Sequence, residues 1–345
     1  MEPQRFPLQR LPRDAILNVI KTMNMMDIMT FSLSTKATKA LVVALKMKAP
    51  RISLSIMTNQ LLELEFDNGS LLSIEFHEHE GNRWIEGEPL LKISKPTYVS
   101  ASLTTFIAEY FRNEEERPLT PWKKLLFEFQ DWIQHFLDLF VGGQINQVNF
   151  FPESQRYDIQ SVTTAIEKQI DNRNSFTYIE NCPDEYHDQI HQTFQSIGSL
   201  VITRRTPFFQ KLILPNYHKL SFATFSDVTL DELLRLNPVV LYLDNPGKIF
   251  AKEINRFIKC WVKGTHRRLR YARFEQRFAN VPDEEDLIKG TRYRRAPEDR
   301  VLSVPFSRSN FIRGGWDIRG KNGRQATVAL EKEDAFWDIE MFVWD

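Results

Sequence analysis

The chain has 345 residues, 42% of them hydrophobic, and its 45 basic residues balance 45 acidic ones. That length suffices for two or more cores, while the charge balance leaves no global field to gather nucleic acid or a membrane surface. Two cysteines, Cys182 and Cys260, make no disulfide framework, and no apolar run approaches the roughly 20 residues of a membrane span.

A reducing compartment is therefore expected, cytoplasmic or nuclear. Pro3, Arg5, Pro7, Arg10 and Pro12 interrupt any signal-like opening. The first predicted element follows the pair Leu11-Pro12, with Pro12 suited to the first helical position, where its missing N–H goes unneeded. Ile16, Leu17, Val19, Ile20 and Met23 then wrap well over half of a helix. Asn24 breaks it, a second apolar stretch opens at Asp27-Ile28, and a lysine-flanked third helix ends at Leu41-Val42. Some forty residues rarely close a core alone, so part of this surface requires a partner, either the rest of the chain or another protein.

The segment resembles an F-box at Leu11, Pro12, Leu17, Ile20, Met23, Ile28, Lys36 and Leu41. Ala15, Ser34 and Thr38 depart from the family pattern, which more often has a larger aliphatic, valine and tryptophan there. The resemblance implies docking of a Skp-type adaptor, joined to a cullin scaffold, through Leu11, Pro12, Ile16, Leu17, Ile20, Ile28 and Leu41.

Next, LLELEFDNGSLLSIEF predicts a hairpin turning at Asn68-Gly69, since both residues accept positive φ. Leu62, Leu64 and Phe66 would face inward and Glu63 and Glu65 outward, with 77–83 and 113–121 as exposed connections. TPWKKLLFEFQDWIQHFLDLFV predicts one long helix, capped by Thr120, with Pro121 at its first position and Gly142-Gly143 as its stop. From there strands are expected at 147–151, 176–180, 200–203, 219–225, 239–244 and 269–274, spaced as in a leucine-rich-repeat-like array. An ordinary α/β domain with a mixed sheet is the competing picture. Thr229 and Glu232 form a capping box before one helix, and Lys252–Lys263 puts Ile254, Phe257, Ile258, Trp261 and Val262 on one face, stopped by Gly264.

Residues 216 to 274 follow the order strand, TLDELL helix, strand, then a helix reading NRFIKCWVKG before a basic strand. This is similar to the F-box-associated region of nematode F-box proteins, as is the closing GGWDIRGKNGRQATVALE hairpin turning at Asn322-Gly323. In that family the region is taken to recognise the substrate.

Other chemistry is sparse. Cys182, His187 and His191 fall short of the four ligands of a structural zinc site, and a solvated helix face is the expected reading. His77 and His79 read as exposed. There is no G-x-S-x-G elbow, activated cysteine or P-loop. Basic residues do cluster: Lys259, Lys263, Arg267, Arg268, Arg270, Arg273 and Arg277, with Arg292–Arg295 beyond, interleaved with Tyr271, Phe274 and Phe278. An outer strand face neutralised by Asp283–Asp286, an acidic or phosphorylated peptide, and single-stranded nucleic acid are the three readings, in that order. Trp316, Trp337 and Trp344 could anchor a partner.

The expected fold is α/β (α+β): an F-box helical module at 5–48, a hairpin-containing connection at 50–118, a helix-strand region at 119–210 and an F-box-associated substrate-binding region at 211–345. The expected function is that of a non-enzymatic substrate receptor in a Skp–cullin–F-box ubiquitin ligase, with Arg267, Arg268, Arg270 and Trp316 as substrate contacts and no metal or cofactor. A non-ligase binding scaffold is the alternative, with nucleic-acid binding through 259–277 behind it.

Overall fold

The computed structural model describes residues 11–77, 88–105, 120–122, 126–170, 176–179, 182–194, 198–202, 217–222, 228–244, 249–277, 282–303, 311–333 and 336–344. The chain divides into two compact units, Met1–Asp171 and Asn172–Asp345.

The first unit opens with three short helices, α1 (Arg13–Lys21), α2 (Met25–Ser34) and α3 (Lys36–Val43). Pro12 stands one position before that expected, as the N-cap residue of α1, where its carbonyl accepts from Ile16 N–H at 3.1 Å. The Asn24 side chain caps α2 by accepting from Asp27 N–H at 2.9 Å. Thr35 ends α2 and caps α3, its Oγ1 accepting from Thr38 N–H while Thr38 Oγ1 accepts from Thr35 N–H. The side chains at the starts of α2 and α3 thus satisfy backbone donors that a helix start otherwise leaves orphaned.

Strands β1 (Met47–Lys48), β2 (Arg51–Ile56), β3 (Gln60–Glu65), β4 (Ser70–His77), β5 (Tyr98–Thr105), β6 (Thr120–Trp122), β7 (Phe140–Val141) and β8 (Gln147–Phe150) complete the strands of this unit. The main sheet runs β8-β2-β3-β4-β5-β6, antiparallel except where β8 lies parallel to β2. The hairpin turns as predicted: Gly69 has φ 76°, and Leu62 and Leu64 are buried between partly exposed glutamates.

The long helix is not formed as expected. Thr120-Pro121-Trp122 is an outer strand on β5, and α4 spans only Phe129–Leu137, after Glu128. The two readings of proline are locally equivalent, because its missing N–H suits an edge strand as well as a first helical turn. What decides is tertiary contact. Trp122 is buried with its ring 5.7 Å from that of Phe136, and its indole donates to Thr30. The missed start signal is Asp131, whose carboxylate accepts from Glu128 N–H at 2.9 Å. Helix α5 (Ile159–Ile166) packs beside α4.

The second unit holds β9 (Phe176–Ile179), α6 (Asp184–Thr193), β10 (Ser199–Ile202), β11 (Lys219–Phe222), α7 (Leu230–Arg235), β12 (Val240–Asp244), α8 (Ala251–Val262), β13 (Tyr271–Arg277) and α9 (Glu284–Ile288). Beyond these lie β14 (Tyr293–Arg295), β15 (Val301–Ser303), β16 (Phe311–Arg313), β17 (Trp316–Arg319), β18 (Gln325–Glu333) and β19 (Phe336–Val343). Strands β9 to β13 lie side by side in chain order, all parallel. Antiparallel β19, β18, β17 and β14 then extend the sheet. The fold is the mixed α/β class expected, although parallel order alone does not establish a leucine-rich repeat.

One face of this sheet is apolar. Leu241, Leu243, Ala272, Phe274, Ile339 and Met341 are buried there, and Phe257 of α8 meets Phe274 edge-on at 5.3 Å. Ile254, Phe257, Ile258 and Trp261 form the buried stripe of α8, as the helical spacing predicted, while Val262 is only partly covered. The capping box at Thr229 and the turn at Gly323 are also present.

Candidate functional site: a helical docking edge and a basic loop cluster

The first unit uses its helical module unevenly. Helix α2 faces the body of its own unit: Ser32 Oγ lies 2.9 Å from His135 Nε2 of α4, and α2 packs on β5. Lys39 of α3 adds an ion pair with Asp138 at 2.7 Å. Ile16, Ile20 and Ile28 are buried, and Thr38, one of the three positions departing from the family pattern, is buried within its capping box. By contrast, Leu11, Leu17 and Leu41 are half-exposed, Pro12 is exposed, and Val19 and Val43 retain 37% and 41% of their surface. These sit at the start of α1, along it and along α3, and the two helices pack together.

The basic stretch of the second unit splits. Arg273 does not meet the acidic run at 283–286. It is buried on the sheet face opposite α8, donating to Glu275 at 2.6 Å and to Asp338 at 2.9 Å. Tyr271 Oη donates to Glu340 at 2.7 Å beside it. Burial pushes the Asp338 carboxyl up to about 6, with Glu275 and Glu340 adding to the rise and Arg273 only partly offsetting it. Burial likewise raises Tyr242 to about 12. Val240, Tyr271, Ile312 and Ala329 form an apolar cluster on this side, so these charges belong to the interior.

Arg267, Arg268 and Arg270 instead lie in the loop after α8, exposed, half-buried and half-buried respectively. The turn between β17 and β18 holds this loop: Arg324 donates to the carbonyls of Arg267 and Leu269, and Lys321 N–H donates to Val262 O at 2.7 Å. Burial, then the neighbouring charge of Arg270, lowers the Arg324 pKa. Sequence reasoning missed Arg324 and Lys321, because only the fold brings that turn to the loop. Trp316 is buried in β17, its ring given to the core, and Trp337 is buried too. Trp344 is half-buried and donates to Thr327 at 3.1 Å.

Other candidates resolve plainly. His187 is buried, not on a solvated face, and Cys182 is buried before α6. The His191 side chain lies outside the described residues, and among those described no group of three potential ligands could hold a metal ion. His77 is half-buried, stacked on Tyr98 at 4.2 Å and 2.7 Å from Ser100 Oγ, contrary to the exposed reading, while His79 lies outside the described residues. A cleft of about 430 Å³ in the first unit is lined by Lys92, Glu128, Asp158 and Ser161, the two acids standing at the N-caps of α4 and α5. Among the described residues no helix is long and apolar enough to cross a membrane.

Comparison with known families places an F-box domain at residues 8–48 and an F-box associated domain at residues 208–274. The first match covers the three short helices; the second spans β11 to β13 and ends within β13, taking in the loop of Arg267, Arg268 and Arg270. The chain thus carries an F-box domain followed by an F-box associated domain. No curated protein and no solved structure matches it.

Proposed function

We propose that this protein is the substrate-recognition subunit of a Skp–cullin–F-box ubiquitin ligase. The observation that carries the proposal is the uneven use of the helical module. Helix α2 is spent on its own unit, leaving apolar surface at Leu11, Pro12, Leu17 and Leu41 for a Skp-type adaptor. Ile16, Ile20 and Ile28 act from behind, holding the helices in place. Apolar residues exposed together on packed helices fit a protein interface of ordinary composition.

The second unit would hold the target, with Arg267, Arg268 and Arg270 presented by a loop that Arg324 keeps in shape. Arginine forks suit carboxylates and phosphates. The receptor then acts by raising the effective concentration of target lysines near a separate conjugating enzyme, and makes no bond itself.

Co-expression of the full chain with a Skp-type adaptor, followed by co-purification, tests this. Wild type is expected to retain the adaptor and Leu17→Asp to lose it while keeping its circular dichroism spectrum. A wild-type protein that folds and retains no adaptor favours the non-ligase scaffold.

A further inference from the structure

Strand β14 is the terminal strand of the second unit's sheet, and all three of its residues, Tyr293, Arg294 and Arg295, are exposed. Its pairing with β17 sets Arg294 opposite Asp317 and Arg295 opposite Trp316. Ala296 N–H donates to Gly315 O at 2.9 Å, so the pair 296/315 is hydrogen-bonded. Bonded and non-bonded pairs alternate in an antiparallel ladder. Arg294 therefore spends its backbone groups on Asp317, while those of Tyr293 and Arg295 point outward. No backbone bond from the described residues reaches these outer groups.

The side chains select the visitor. Arg294 projects from one face of the strand, and extending the register one residue beyond β14, to the exposed Arg292, would set Arg292 on that face across from Arg319, at the head of the turn that holds the basic loop. Asp317 offsets the charge of Arg294 only through space, because Arg300 hydrogen-bonds both its oxygens, at 2.7 and 2.8 Å. Arg292 and Arg294 form no ion pair among the described residues, and Arg295 has only long contacts of 3.8 Å with Glu284 and Glu298. A second copy of the chain would bring arginines opposite arginines, and like charges across a strand pair repel. A strand with carboxylates at alternate positions meets the same edge with attraction. On the other face Tyr293, 50% exposed, offers a ring to a β-branched neighbour.

We propose that β14 is a strand-addition site for an extended segment of a partner protein in which acidic residues alternate with β-branched ones. The segment would complete the outer hydrogen bonds of Tyr293 and Arg295 and place carboxylates against Arg292 and Arg294. This deepens the reading of the second unit as the target-binding part and rests on it. The assay below contains no adaptor, so its failure is separable from failure of adaptor docking.

A fluorescein-labelled peptide of alternating Glu and Val is titrated with the full chain by fluorescence anisotropy, alongside its Lys-Val counterpart. The acidic peptide is expected to bind at least about tenfold more tightly. Tyr293→Pro removes an outward N–H that the fold does not use, and proline is tolerated on edge strands, so binding should weaken at least about tenfold. Arg292→Glu with Arg294→Glu should reverse the preference between the peptides. In the wild-type chain, amide exchange at Tyr293 and Arg295 should slow when the acidic peptide is added, a readout that needs no variant. Absence of acidic-peptide binding overturns the proposal. So does binding that Tyr293→Pro and the amide exchange leave unchanged, since charge alone would then hold the peptide.

Discussion

The helical module of the first unit and the β13–β19 pair of the second reach stability by opposite routes. The module relies on local devices, an asparagine cap, a Thr35/Thr38 capping box and a few buried isoleucines. The strand pair buries Arg273, Glu275, Asp338, Glu340 and Tyr271 in one polar network. Its members come from stretches of chain more than sixty residues apart. The caps cost little when cut, and these devices fail one at a time. A buried charge network fails together, because removing one member strands the others in a medium that cannot solvate them.

The sharpest way to break that contrast is Arg273→Ala, which leaves Glu275 and Asp338 buried without their cation. Denaturant unfolding should show a loss of about 3–5 kcal/mol. Ile20→Ala, at a fully buried position of the module, should cost about 2–5 kcal/mol through its cavity, by the same measurement.

Titration sharpens the comparison further. Asp338 has its folded pKa raised to about 6, so its contribution to stability is present at acid pH and lost as pH rises towards that value. His266, lowered by burial to about 4, contributes in the opposite sense: its stability is present above its ordinary range and lost as pH falls to about 4. The two partly cancel in the wild type. In Asp338→Asn only the His266 leg remains, so stability measured between about pH 4 and 6.5 should climb more steeply with pH than in the wild type. A slope unchanged from wild type would remove Asp338 from the account. The smallest effect belongs to the module: Thr35→Ala should cost about 1 kcal/mol, read from the shift in denaturant midpoint.

How far each region could be read from sequence follows from the same contrast. The break at Asn24, the capping box at Thr229, the Asn-Gly turns and the stripe of α8 all depend on residues within a few positions, and each was legible, although the capping role of Asn24 was not. Thr120-Pro121-Trp122 was not, because its residues satisfy a helix start and an edge strand equally until Trp122 finds Thr30 and Phe136. Nor could sequence separate Arg273, which faces inward, from Arg270, three residues earlier in the loop. Alternation along β13 places Arg273 on a buried face, but its acids arrive from β19. The candidate target surface was legible only as a run of arginines; Arg324, which shapes it, lies beyond any local pattern. The proposed docking edge was partly legible. Its apolar residues were identifiable, while their division into inward Ile16, Ile20 and Ile28 and half-exposed Leu11, Leu17 and Leu41 awaited the packing of α2.

That division is tested most directly by calorimetric titration of a Skp-type adaptor into the full chain, comparing wild type with Leu17→Asp and Leu41→Asp. The account predicts that both variants keep the wild-type unfolding midpoint within about 1 kcal/mol while adaptor binding weakens by at least about a hundredfold. Variants that bind the adaptor as tightly as wild type would contradict it.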